Sequence, residues 1–148
     1  MTTSSNTFNV RARSYELDFY RHINNAVYLG WFEDAREQLL IREDRDYNFY
    51  PDQHEAWFVV VNMNVDFVSS VVAHEEIEVH TRIAKFGRTS VVFRQCIRRA
   101  SDKLVRCRAR VVMCFTGKDN KSCPIPQDFL EHYAVSEEGD DWTESEGS

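Results

Sequence analysis

Hydrophobic spacing divides the chain into one helix and a succession of strands. Residues 8–15 (FNVRARSY) alternate apolar and polar positions, which predicts a first strand. A polar stretch from Glu16 to Asn25 follows. Tyr28, Trp31, Phe32, Ala35 and Leu39 then recur at the spacing of one helix face, and Val27, Leu29 and Leu40 widen the stripe. A stripe that broad predicts a helix buried over much of its circumference. Asn24 or Asn25 suits its N-cap, because a short amide side chain accepts from the unpaired N–H groups of the first turn. The helix is expected to fade between Arg42 and Asp46, ahead of Pro51.

Beyond Pro51 the period changes to two. Trp57, Val59, Val61, Met63, Val65 and Phe67 alternate with Asn62, Asn64 and Asp66. Residues 75–86 place Ile77, Val79, Thr81 and Ile83 opposite Glu76, Glu78, His80 and Arg82, and Phe86-Gly87-Arg88 makes a turn. Residues 89–100 put Val91, Phe93 and Ile97 on one face, and Ser101-Asp102 turns the chain again. Residues 103–117 set Val105, Cys107, Ala109, Val111, Met113 and Phe115 inward, with Arg106, Arg108 and Arg110 outward. A short helix is expected near Gln127–His132. One early strand, one apolar helix and four long strands describe an α+β domain in which a curved antiparallel sheet covers the helix.

Composition narrows the class. With 148 residues, 43% hydrophobic and 13% aromatic, one domain can build its own core without metals or disulfides. Cys96, Cys107, Cys114 and Cys123 form no C-x-x-C pair, and three of them fall in strand patterns, so they read as buried thiols. His54, His74, His80 and His132 share no metal-ligand spacing, and no metal site is expected. No secretory leader or membrane-length apolar run is visible, which points to a cytoplasmic protein that does not span a membrane.

The net charge of −6 is unevenly spread. Residues 136–148 carry six acids and no base, so the rest of the chain sums to zero. Residues 1–135 are therefore expected to form the domain, and 136–148 an acidic, disordered tail. Residues 82–110 hold ten Lys and Arg against one acid, Asp102. That excess admits ion pairing with Glu76 and Glu78 on neighbouring strands. It also admits phosphate recognition, for which arginine is suited. No recognition helix, zinc finger or aromatic RNA-binding signature accompanies it, and nucleic acid is not an expected partner.

The chemistry concentrates between Tyr15 and Arg36. An acid, an imidazole and two amides lie in a connection that leads into the helix. Helix N-termini present unpaired N–H groups and the positive end of the dipole, which polarise a carbonyl and hold an oxyanion. A nearby carboxylate can attack such a carbonyl or take a proton from water. The plainer reading of the same residues is a helix cap with solvent-facing loop polars.

The run D-x-x-x-H-x-N-N-x-x-Y-x-x-x-x-E-x-x-R, here Asp18, His22, Asn24, Asn25, Tyr28, Glu33 and Arg36, resembles the 4-hydroxybenzoyl-CoA thioesterase family. The resemblance implies a hot-dog fold, a five-stranded antiparallel sheet wrapped around a long central helix. It implies an acyl thioester hydrolase acting on acyl-CoA or an acyl carrier protein, with coenzyme A entering only as part of the substrate and no bound cofactor. It also implies a homodimer, its sheets joined edge to edge, with sites at the subunit boundary; pairing into a homotetramer is open. Asp18 matches the catalytic acid, as nucleophile or general base. Asn25 lies where a helix N-terminal N–H meets the thioester oxygen, and His22 where a residue orients the loop or contacts substrate. Asn24, Tyr28 and Asn64 are candidate substrate contacts, and Arg88, Thr89 and Ser90 candidates for the nucleotide. Tyr28, Trp31 and Phe32 also suit helix core and acyl-pocket wall, and Glu33 and Arg36 a structural pair. Many relatives carry glycine where this chain has Arg21, which predicts a different loop conformation or an added cation. A non-hydrolytic acyl-CoA sensor on the same fold is the alternative.

Overall fold

The computed structural model describes residues 2–139. The elements run β1 (Ser5–Arg11), a 3₁₀ turn (Ser14–Glu16), α1 (Asn25–Ile41), α2 (Phe49–His54), β2 (Trp57–Phe67), β3 (Glu76–Phe86), β4 (Ser90–Arg99), β5 (Val105–Thr116) and α3 (Gln127–His132). All strand pairs are antiparallel, in the order β1-β3-β4-β5-β2. The helical insertion between β1 and β2 sends these two strands to opposite edges. The sheet packs on α1, whose buried face carries Tyr28, Trp31, Phe32, Ala35, Arg36, Leu39 and Leu40. This is the expected hot-dog arrangement.

The alternating patterns supply the inner face: Ile77, Val79 and Ile83 from β3, Val91, Phe93 and Ile97 from β4, and Cys107, Val111 and Phe115 from β5 are all fully buried. At the far end of the sheet Phe58 stacks on Phe115 at 4.3 Å, and Phe129 of α3 closes against both. Such aromatic contacts add to the free energy of burial itself.

One buried polar network fixes α1 against the sheet. Gln95 donates to the Phe32 carbonyl at 2.9 Å and to the Thr81 hydroxyl at 2.8 Å, and accepts from Arg36 at 2.9 Å. Arg36 is only 3% exposed, and desolvation lowers its pKa. It turns toward Gln95, and no ion pair joins it to Glu33 among the described residues.

Four details depart from the sequence pattern. β1 begins at Ser5 and stops at Arg11, because its pairing with β3 ends at Glu76 and Ala12 N–H turns to the Glu75 carbonyl. α2 forms around Pro51, which sits in a first turn where its missing N–H costs little. β2 carries an irregularity between Val60 and Asn62, so Phe58 packs inward before it and Met63 and Val65 after it. Trp57, Val59 and Val61 are consequently exposed. A register shift at Ile97/Arg98 likewise takes Val105 out of the inner set and places it beside Cys96.

The packed chain continues past residue 135. Ser136 N–H donates to the Ile83 carbonyl at 2.8 Å, and the Glu138 carboxylate meets His80 at 3.2 Å. Residues 140–148, most of the expected acidic tail, lie outside the described residues.

Candidate active site

The connection from Leu17 to Asn25 is a closed backbone loop. Leu17 and Ile23 form an isolated bridge, Asp18 N–H donates to the His22 carbonyl at 2.7 Å, and Asn24 N–H donates to the Glu16 carbonyl at 2.9 Å. Ile23, fully buried, anchors this ladder to the segment before β3 through the Val71 carbonyl. The closure brings Asp18 back toward the start of α1.

The Asp18 carboxylate is exposed and partly spoken for. Its Oδ1 accepts from Tyr20 N–H at 2.8 Å and His22 N–H at 3.2 Å, which fixes the side chain. Among the described residues no group donates to Oδ2, so one oxygen of an oriented carboxylate is left for chemistry. Arg21, between those two donors, has φ 65°. It takes the left-handed conformation that glycine favours, and the neighbouring hydrogen bonds hold it there against the steric cost of its Cβ.

The first turn of α1 is selectively satisfied. Asn24 is the N-cap: its Oδ1 accepts from Ala26 N–H at 2.9 Å, and its carbonyl from Val27 N–H at 2.9 Å. With Asn24 N–H bonded to Glu16, Asn25 N–H is the member of this turn for which no described group is an acceptor. Asn24 therefore shapes the helix start, and its neighbour's peptide is left open.

His22 is exposed and its Nδ1 lies 3.3 Å from the Ser70 hydroxyl. Ser70 was not anticipated; it lies in the short segment between β2 and β3, where no periodicity marks it. Tyr28 belongs to the core. Its hydroxyl oxygen accepts from Val71 N–H at 2.9 Å, burial raises its pKa, and its ring meets Trp31 and Phe67 edge-on. It joins the helix to the Ser70–Val71 segment that supports the loop, a role of scaffold rather than open substrate surface.

A model of the "Thioesterase-like superfamily" matches residues 12–133. This chain belongs to the thioesterase-like superfamily. It is 28% identical over 123 residues to the long-chain acyl-CoA thioesterase FadM of Escherichia coli K12, a match covering 82% of this chain and 92% of that protein. The structure of Slr0204, a 1,4-dihydroxy-2-naphthoyl-CoA thioesterase from Synechocystis, superimposes with TM-score 0.80 at 16% identity, covering 85% of this chain and 93% of that one. A mutant 4-hydroxybenzoyl-CoA thioesterase complexed with 4-hydroxybenzoyl-CoA gives 0.79 at 18%, covering 86% and 97%. These two likenesses establish the shared fold.

Other expected site residues of this thioesterase-like chain lie elsewhere. Asn64 sits between the inward Met63 and Val65, so it faces away from α1, in register with Arg110. Arg88, Thr89 and Ser90 form the β3–β4 turn. A Cβ at Gly87 would come 2.5 Å from the Ser90 hydroxyl, which would have to rotate away. The turn is at the opposite end of β3 from the Asp18 loop, about 30 Å away at ~3.3 Å per residue. One chain does not unite the two groups.

Arg106 and Arg108 of β5 do pair, with partners other than those expected. Arg106 bonds Glu75 at 2.8 Å and Arg108 meets Asp66 at 3.3 Å, while Glu78 takes Arg98 and Lys103. No cluster of metal-ligating side chains occurs among the described residues, and no described helix is long and apolar enough to cross a membrane.

Proposed function

We propose that this chain hydrolyses acyl-CoA thioesters at the Asp18 loop, with no metal or bound cofactor. The observation that carries the reading is the combination of a loop-oriented carboxylate with an open N–H at the first residue of α1. The acyl-CoA thioesterases among its relatives support the substrate class.

The reaction follows from these groups. The thioester carbonyl oxygen accepts from Asn25 N–H, aided by the positive end of the helix dipole. Asp18 takes a proton from water as the new C–O bond forms, and the carbonyl electron pair moves to the oxygen held by that N–H. Collapse restores the carbonyl, breaks the C–S bond and returns the proton to sulfur, giving a carboxylic acid and a free thiol. Direct attack by Asp18 would instead break the C–S bond and release the thiolate as an acyl-aspartyl anhydride forms, and water would then open the anhydride to the free acid and the Asp18 carboxylate. His22, whose Nδ1 lies 3.3 Å from the Ser70 hydroxyl, would orient the loop or contact the substrate.

The functional unit is a homodimer joined through β2. That strand is an edge of the sheet, and Trp57, Val59, Val60 and Val61 are exposed along it. A long apolar edge of this kind favours pairing with another strand. Twofold pairing of two β2 strands reverses their direction, so the partner's β3–β4 turn comes to this chain's Asp18 end. Arg88, Thr89 and Ser90 of one protomer would then hold the coenzyme phosphates of a substrate in the site of the other. Phe19, 93% exposed beside Asp18, is the kind of surface that such a neighbour covers.

The test is a panel of acyl-CoA substrates with thiol release followed colorimetrically. Turnover that Asp18→Asn abolishes while the dimer persists supports the mechanism. Saturable binding without thiol release would make the protein a sensor, and turnover confined to carrier-protein thioesters would move the substrate class.

A further inference from the structure

The chain just ahead of the Asp18 loop shapes a basic cleft that the proposed acyl transfer leaves unused. Where β1 ends, Arg11, Arg13, Ser14, Tyr15 and His74 line a space of about 390 Å³, within the size range of small-ligand sites. Its backbone frame is fixed. Ala12, between the two arginines, is fully buried; its N–H donates to the Glu75 carbonyl at 3.0 Å and its carbonyl accepts from His74 N–H at 2.7 Å. His74 is held there at φ 69°, a conformation that costs energy for a residue with a Cβ. Arg13 spends Nε on the Arg11 carbonyl at 3.3 Å, and its two terminal nitrogens have no acceptor among the described residues. No carboxylate lines the cleft. The acids around it are engaged or apart: Glu16 accepts from Arg13 N–H at 2.7 Å, and Glu75 takes Val72 N–H and Arg106. Glu76 stands in register with Arg11, yet no ion pair joins them among the described residues. Two guanidinium groups, a hydroxyl, a phenol and an imidazole are donors suited to phosphate.

We propose that this cleft holds the diphosphate of the substrate's coenzyme A, on the same protomer that supplies Asp18. The proposal rests on the acyl-CoA reading above and deepens it by naming the residues that hold one group of that substrate. The charges match, since a diphosphate diester carries two negative charges at neutral pH and the cleft offers two arginines. The connection to the chemistry is short. Ser14 of the cleft wall accepts from Leu17 N–H at 3.3 Å, closing the 3₁₀ turn, and Asp18 is the next residue. Ser14 and Asp18 therefore lie at most about 14 Å apart along the chain, and the turn shortens that span. An extended pantetheine arm separates thioester from diphosphate by a comparable length. The coenzyme's 3′-phosphate, a separate group, is left for the β3–β4 turn. Because the turn that carries Arg13 and Ser14 runs directly into the Asp18 loop, binding of the diphosphate would place the thioester at that loop.

The test uses full-length Arg11→Gln and Arg13→Gln, both at exposed positions where the fold should persist. Each is expected to raise KM for an acyl-CoA about tenfold while kcat is kept. The same rise should appear with the acyl-dephospho-CoA, which keeps the diphosphate, and vanish with the acyl-pantetheine, which has no phosphate. An equal rise with acyl-pantetheine would reduce the arginines to structural residues and overturn the proposal. So would an unchanged KM for acyl-CoA, or a rise lost with dephospho-CoA, which would assign the cleft to the 3′-phosphate. Absence of turnover in the original chain would count against the Asp18 mechanism and not against the cleft. Titration calorimetry on the Asp18→Asn chain reads the cleft without turnover: coenzyme A should bind about tenfold more weakly once Arg13→Gln is added, and pantetheine equally with or without it. Coenzyme A binding that ignores Arg13→Gln would overturn the proposal. Binding of ADP as tight as that of coenzyme A would also overturn it, and assign the cleft to a free nucleotide.

Discussion

Two aspartates, Asp18 and Asp128, mark opposite fates for the same side chain. Asp128 at the start of α3 is clamped: Arg45 donates to Oδ1 at 2.9 Å and to Oδ2 at 2.6 Å, and the Tyr50 hydroxyl donates to Oδ1 at 2.9 Å. The clamp spends both oxygens. The Arg45 hydrogen bonds hold the Asp128 carboxyl down to about 2, while burial opposes them. Asp18 receives only two backbone N–H groups, both on Oδ1, and no cation neutralises it among the described residues. A saturated carboxylate is a structural tie. An oriented carboxylate with an open oxygen is what the proposed mechanism requires.

The sharpest way to break this contrast is Asp18→Asn. The amide oxygen still accepts from Tyr20 and His22, so the loop should stay folded, while the base is lost. Turnover is expected to fall about 10²–10⁴-fold, measured as thiol release from acyl-CoA, with the melting temperature nearly unchanged. The matching change on the other side, Asp128→Asn, should leave turnover intact and cost stability, because Arg45 loses its carboxylate. It also carries a pH signature. The Asp128 pKa is depressed on folding from 3.8 to about 2, so its contribution is complete above pH 4 and disappears as pH falls through 2. Acid titration of the melting temperature should lose part of that limb in the variant.

Smaller substitutions separate scaffold from chemistry. Gln95→Leu strands Arg36 in the core without its acceptor and should cost about 2–3 kcal/mol in denaturant unfolding. Tyr28→Phe leaves Val71 N–H without its hydroxyl partner and should cost about 1–2 kcal/mol. Because Val71 supports the Asp18 loop, some activity should go with it. Asn24→Ala removes the cap of α1 at about 1 kcal/mol. Turnover that falls far more than this loss of stability explains would show that the cap also sets the direction of Asn25 N–H.

Much of this was legible before any coordinates. Periods of 3.6 and 2 located α1, β2 through β5 and α3, since each element buries one face and its apolar residues must recur at that spacing. The motif singled out Asp18, His22 and Asn25. What periodicity does not encode is pairing. The irregularity in β2 reversed which side chains face inward and left Trp57, Val59 and Val61 outside, because a bulge shifts parity without changing composition. Asn64 keeps the outward side that the alternation gave it, which takes it away from α1. Arg21 looked like a departure from glycine, yet the loop's hydrogen bonds impose φ 65° on it.

By itself, then, the sequence determined α1 and the strands, their order and the candidate residues for acyl transfer, because these follow from side-chain type and local spacing. Only the tertiary structure decided which side chains of β2 face inward, which N–H of the helix start remains open and which oxygen of Asp18 is free. The first depends on strand register between residues far apart in the chain, and the other two on a loop closed by the Leu17–Ile23 bridge and tied to Val71, none of which periodicity records.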